Sequence, residues 1–222
     1  MDTPALRQVL RTSGPFVSVY LPTTTSWRPL RHELTTRQVD GGTLAVLDEA
    51  VTRRSDIANR ALVASGGRLL VDEPSAWPPG APVVRVSGLP YLLPLTQRYG
   101  AHVRPDAPDL DRSAYDQFVF EAGRPDGLAV DGLHACTTAL RQHNADALIV
   151  VVDRLAGQRV WVGDQLDLVS PETSLRGMGV PITNVPADEA LPSAALAIGA
   201  EVLVTADPLP LTDGVGVLLR HA

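Results

Sequence analysis

The chain has 222 residues, 45% hydrophobic and 20% charged, with a formal net charge of −6, a composition that excludes disordered and fibrous classes and suits one large or two ordinary globular domains. No apolar run reaches the roughly 18 residues of a membrane span, and the opening MDTPALRQVLRTSGP lacks the apolar centre of a secretion signal, so the sequence reads as cytoplasmic. The single cysteine, Cys136, excludes an internal disulfide.

In chain order, LRQVLRT (6–12) predicts a short helix, and FVSVYL (16–21), bounded by Gly14-Pro15 and Pro22, predicts a strand. Apolar residues three and four apart predict helices over 30–38 and 44–54, lying on a sheet. RALVASGGRLLVDE reads as a hairpin that turns at Ser65-Gly66-Gly67, where glycine accepts the positive φ of a tight turn. PVVRVS (82–87) adds a strand and LPYLLPL (89–95) an apolar, proline-punctuated edge. The expected first domain, 1–97, is therefore a mixed sheet of four or five strands with two or three helices.

Residues 98–112, with Pro105 and Pro108 among aspartates, read as a linker. The pattern then restarts. Helices are expected over 111–123 and 126–145, the second with Leu128, Leu133, Cys136 and Leu140 along one stripe. DALIVVVD (146–153) is continuously apolar and β-branched, as a strand covered on both faces should be. Further strands are expected at RVWVG (159–163), EVLVTA and GVGVLLRH, a loop region around Pro171 and Pro181, and a helix over 187–200. Helices alternating with buried strands predict an α/β fold, with an α-β-α sandwich over 113–222.

The charge is unevenly spread: residues 1–100 carry a net +3 and residues 101–222 a net −9, and all 19 basic residues are arginine. Arginine bias alone matches GC-rich codon usage. An acidic second half is not drawn to nucleic acid by its field, so an RNA contact is expected from the first half or from a local patch. The five histidines are scattered, and none forms a metal-ligand pair with Cys136; no phosphate loop, dinucleotide fingerprint or nucleophile elbow occurs. Asp188 and Glu189 suit the first turn of a helix, and Asp213-Gly214 a turn. The carboxylates in general are expected on solvated faces. No nucleophile with its base, no cofactor site and no metal site emerges, so the chain does not read as an enzyme.

Several segments carry a family resemblance. DGVGVLLRH, with Gly214, Gly216, Leu219 and Arg220, resembles the closing strand of the C-terminal domain of archaeo-eukaryotic class I release factors and pelota-type rescue factors. DGLAVDGLHACTTALRQHNADALIVV and ADEALPSAALAIGAEVLV are similar to the C-terminal domain of the actinobacterial branch of bacterial release-factor homologues, which includes the ribosome hibernation factor Balon and its mycobacterial relatives. SGPFVSVYLP, ALVASGGRLLVDE and VVRVSGLPYLLPL are similar to that branch's N-terminal domain. The family has a middle domain of well over a hundred residues, and here only residues 96–112 stand in its place. Gly41-Gly42-Thr43 and Gly157-Gln158 do not match the Gly-Gly-Gln loop which that domain carries in release factors, so peptidyl-tRNA hydrolysis is not expected. Nor is codon reading, since the Asn-Ile-Lys-Ser motif is absent.

The resemblance implies a non-enzymatic, ribosome-associated translation factor. Its N-terminal domain would approach rRNA of the A site, and its C-terminal domain a translational GTPase such as elongation factor Tu; no membrane and no DNA partner is implied. Arg28, Arg31, Arg37, Arg53 and Arg54 are the candidate rRNA contacts, because guanidinium groups pair bidentately with phosphate; the plainer role is to solubilise helix faces. Two other functions fit the sequence: a non-ribosomal scaffold or degenerate paralogue, and a small-molecule enzyme with a site in an interdomain cleft.

Overall fold

A helical hairpin, inserted between the first two strands, decides the topology of the N-terminal half. The computed structural model describes residues 4–22, 25–53, 59–75, 81–100, 110–205 and 210–221. It divides into two compact units, Met1–Arg98 and Tyr99–Ala222, both α/β.

In the first unit, α1 (Pro4–Leu10) precedes β1 (Phe16–Leu21), followed by α2 (Trp27–Thr36) and α3 (Gly41–Arg53). Then come β2 (Arg60–Ser65), β3 (Arg68–Pro74), β4 (Val83–Ser87) and α4 (Leu93–Gly100). The strands form a sheet of order β3-β2-β1-β4, and every pairing is antiparallel. The expected mixed sheet is thus corrected. Two successive helices return the chain to the end where β1 finished, so β2 must run the opposite way. Alternation along the strands sends Val17, Val19, Leu21, Leu62 and Ala64 to one face, where they pack with Leu30, Leu34, Leu44 and Leu47 of the helical hairpin.

The opposite face of the sheet carries Ser18 and Tyr20, and both fasten the segment after β4. The Tyr20 hydroxyl donates to the Tyr91 carbonyl, and the Tyr91 N–H donates to Ser18 Oγ at 3.1 Å. The two rings meet edge to face at 5.9 Å. Burial, followed by the neighbouring Tyr91, pushes the Tyr20 phenol well above its ordinary pKa. LPYLLPL is therefore not a strand edge: Tyr91 and Leu92 are buried outside regular structure, and Pro94 sits in the first turn of α4, where its missing N–H costs nothing. The hairpin turn has Gly66 at φ 55° and Gly67 at φ 73°, as a two-residue antiparallel turn requires.

Asp40 caps α3. Its carbonyl accepts from the Leu44 N–H and its Oδ1 accepts from the Thr43 N–H at 2.8 Å, satisfying a donor the helix start leaves open. Hydrogen bonding from Thr43 holds the Asp40 carboxyl below its ordinary value of 3.8. A depressed folded pKa stabilises the fold above the unfolded value and stops doing so as pH falls through the folded one. Asp40→Ala is expected to cost about 1 kcal/mol at pH 7. Urea midpoints of the two proteins should draw together as pH falls through the depressed folded pKa of Asp40, and an equal difference at pH 7 and in that acid range would rule the cap out as the cause.

In the second unit, α5 (Leu110–Ala122) leads to β5 (Ala129–Asp131), α6 (Leu133–Arg141), β6 (Ala145–Val151) and the short α7 (Val152–Leu155). β7 (Arg159–Val162), β8 (Val169–Ser170), a 3₁₀ segment (Thr173–Met178) and β9 (Thr183–Pro186) follow, then α8 (Ala187–Ala197), β10 (Glu201–Thr205) and β11 (Val215–Leu219). The main sheet has order β10-β6-β11-β5; β10 and β6 are parallel and the other pairs antiparallel. Ala147, Ile149, Leu203 and Leu218 face Phe118 of α5. Leu148 and Val150, on the other face and equally buried, lie toward α6 and α8. This is an α-β-α arrangement, with β8-β7-β9 as a second, small antiparallel sheet against α8.

Three expectations need correction here. The single helix over 126–145 is a strand and a helix, split at Gly132, whose φ of 83° no helix accommodates. Leu128 accordingly falls outside the stripe that buries Leu133, Cys136 and Leu140. Asp188 and Glu189 do occupy the first turn of α8, but they are buried, not solvated. The linker expected over 98–112 is entered by α4 at one end and α5 at the other, and residues 101–109 lie outside the described residues.

No helix among the described residues is long and apolar enough to cross a membrane.

Candidate nucleic-acid interface

The arginines expected to meet phosphate lie on the α2–α3 hairpin. Trp27 Nε1 donates to Asp48 Oδ1 at 2.7 Å, and Arg31 Nε reaches the two Asp48 oxygens at 3.0 and 2.8 Å. The first turn of α2 therefore lies beside the second half of α3. Arg28, Arg31 and Arg53 fall toward one end of the hairpin, and Arg37, which closes α2, lies toward the other, about 13 Å further along the helix by its rise. Arg54 lies outside the described residues.

Charge pairing divides the group further. Arg37 pairs with Glu33 at 2.5 Å and Arg53 with Glu49, each one helical turn apart, while Arg31 pairs with Asp48. Arg28 is exposed and has no partner among the described residues. Residues 27–53 hold four arginines against Glu33, Asp40, Asp48 and Glu49, and their net charge is zero. Exposed pairs of this kind are weak and yield to a phosphate, but each carboxylate repels the ligand as strongly as its arginine attracts it. Asp48→Asn should therefore move elution from a heparin column to higher salt, because it frees the Arg31 guanidinium and removes a charge that repels the polyanion. The same change should cost about 1 kcal/mol of stability through the weakened Trp27 and Arg31 bonds. Unchanged elution would mean that Arg31 does not face the polyanion.

The four residues of the closing segment have structural roles that the geometry makes plain. Gly214 has φ 75°, and a Cβ there would stand 2.6 Å from Arg154 Cβ and 2.8 Å from the Leu155 nitrogen. At Gly216 a Cβ would stand 2.8 Å from the Phe118 ring, so the glycine lets α5 sit directly on the sheet. Leu219 is half-buried at the end of β11, and its N–H donates to the Leu128 carbonyl at 2.9 Å. Arg220 donates from Nη1 to the His143 carbonyl and from Nη2 to the Ile198 carbonyl, both at 3.2 Å. Those carbonyls lie just beyond α6 and at the close of α8, where open acceptors and the negative end of the helix dipole favour a cation.

Nucleophile chemistry finds little support nearby. Burial and the carboxylates Asp131 and Asp213 push the Cys136 thiol far up, away from a reactive thiolate. His134 is exposed while Cys136 is buried, as two positions apart on a helix dictate. His143 Nε2 lies 2.7 Å from Asp167 Oδ2, a pair that only folding brings together. No group of three or more His, Cys, Asp or Glu suited to a metal occurs among the described residues.

Sequence reasoning passed over one further cluster. Arg159 and Trp161 share the outer face of β7, Asn184 of β9 pairs opposite Trp161, and the Arg176 guanidinium lies 5.5 Å from the Trp161 ring centre. Only the alternating run RVWV could have hinted at it, since Arg176 and Asn184 come from later segments.

No family model matches the chain. It is 41% identical over 108 residues, 48% of its length, to the uncharacterized protein Rv2629 of Mycobacterium tuberculosis strain H37Rv and to its counterpart MT2704 in strain CDC 1551. The match takes in 28% of each relative, so the chain corresponds to only part of the length of the curated proteins it resembles.

Proposed function

We propose that this chain is a non-enzymatic, ribosome-associated translation factor of cytoplasmic location, a shortened relative of the release-factor-like hibernation factors without their middle domain. The observation that carries the reading is the division into Met1–Arg98 and Tyr99–Ala222, which falls in the stretch where the resemblance expects that domain. The length of the mycobacterial relatives is compatible with it. The matched segment is 48% of this chain but 28% of each relative, so each relative is longer by well over half of this chain's length, room enough for a further domain. In this reading the first unit approaches rRNA of the A site and the second meets a translational GTPase such as elongation factor Tu. Arg28 and Arg31 are its foremost phosphate contacts.

The test is a sucrose gradient of stationary-phase lysate. The protein is expected with 70S particles at low salt and released as salt rises, because phosphate contacts carry the affinity. Finding it at the top of the gradient at low salt would overturn the reading. A non-ribosomal interaction protein would then take its place, favoured by the adjacent exposed side chains Val119 and Phe120 on α5, 57% and 63% accessible.

A further inference from the structure

The small sheet β8-β7-β9 has two unlike faces. Val160, Val162, Val169 and Val185 are buried toward α8, so alternation turns Arg159 and Trp161 outward. Arg159 is steadied by Asn184, with Nη2 donating to its carbonyl at 2.8 Å and Nε donating to its side-chain oxygen. Arg176, from the 3₁₀ segment, rests against the Trp161 ring. Among the described residues neither arginine is paired with a carboxylate. That is unexpected in a half whose net charge is −9, and it contrasts with the α2–α3 hairpin, where three arginines are each matched by an acid.

We propose that this outer face binds single-stranded RNA, with one unstacked base lying on the Trp161–Arg176 pair and an adjoining phosphate at Arg159. An aromatic ring and a guanidinium plane are the two surfaces on which proteins stack an unpaired base, and the positive charge left on both arginines complements the strand. An acidic peptide would use the arginines but gain nothing from the ring. The choice of RNA as the strand rests on the ribosomal reading; the platform itself does not.

The test is fluorescence anisotropy of a labelled ten-nucleotide oligouridylate with the full chain. Binding is expected, weakened about tenfold or more by Trp161→Ala, the loss of one stacked base, and retained by Trp161→Phe. Arg159→Gln with Arg176→Gln should flatten the log–log salt slope by about 0.7, the one phosphate contact at Arg159. Absence of binding, binding indifferent to Trp161→Ala and to the double arginine change, equal affinity for oligothymidylate, or equal competition by polyglutamate would each overturn the proposal. Co-sedimentation with 70S particles without oligouridylate binding would remove this site and leave the ribosomal reading standing. Oligouridylate binding without co-sedimentation would do the reverse.

Discussion

Gly214→Ala is expected to destabilise the C-terminal unit by about 3 kcal/mol, the sum of roughly 1–2 for a left-handed residue with a side chain and 1–3 for overpacking. Both terms apply because φ is 75° and the nearest atoms to an added Cβ include the main chain of Arg154 and Leu155, which cannot swing aside. The turn itself is laced to the start of α6. Thr212 N–H donates to Asp131 Oδ2 at 2.8 Å, Leu133 N–H donates to Asp213 Oδ2 at 3.1 Å, and Gly132 N–H donates to the Val215 carbonyl at 3.0 Å. A shift at Gly214 therefore disturbs two strands and a helix start together. Gly216→Ala should cost less, because the obstacle there is the edge of the Phe118 ring. Urea unfolding of a Trp27→Phe, Trp77→Phe protein, in which Trp161 is the remaining tryptophan, reports on this unit. A Gly214→Ala protein within about 0.5 kcal/mol of the parent, the ordinary scatter of surface changes, would refute the strained turn.

The same turn illustrates what the sequence discloses. Asp213-Gly214 before an apolar run reads correctly as a turn, because a local rule governs it. Asp131-Gly132 carries the same dipeptide, yet apolar spacing across 126–145 outweighs it, and the short strand β5 is lost from view. β5 exists because β11, the last strand of the unit, pairs with it, a contact no sequence window contains. The buried positions of Asp188 and Glu189 are equally non-local, since only the packing of α8 against both sheets covers its first turn.

The candidate interface shows the same divide. The pairs Glu33–Arg37 and Glu49–Arg53 have the four-residue spacing, acid first, that stabilises a helix, and were legible as neutralised charge. Asp48 answering both Trp27 and Arg31 was not, because it comes from the next helix. Trp161, Arg176 and Asn184 belong to three successive elements and meet only through β9 pairing with β7 and the 3₁₀ segment folding back. A positive sum over residues 1–100 pointed to the first half, whereas two guanidinium groups with no carboxylate partner among the described residues, Arg159 and Arg176, flank Trp161 in the second.

The counterpart in the first unit is Arg60, whose side chain is 4% exposed and which opens β2 beside Asp72 of β3, with Nε 2.7 Å and Nη2 2.6 Å from Asp72 Oδ1. Asp72→Asn is expected to cost about 3 kcal/mol, because a nearly buried guanidinium loses the carboxylate that stands 2.6 Å from it. Arg60→Met together with Asp72→Leu should recover most of that loss, since two apolar groups of similar reach need no compensation. Urea unfolding followed through Trp27 separates the outcomes, and an additive double change would mean that the two side chains act independently. The pair also bears on function. Arg60, like Arg31, Arg37 and Arg53, is matched to an acid by folding, so much of the positive charge of the first half is already engaged within the unit. Phosphate contact there must come from exposed groups such as Arg28 and from pairs that a polyanion can displace. In the proposed ribosomal reading, affinity of this half for rRNA should therefore fall with salt more gently than its arginine count alone would require.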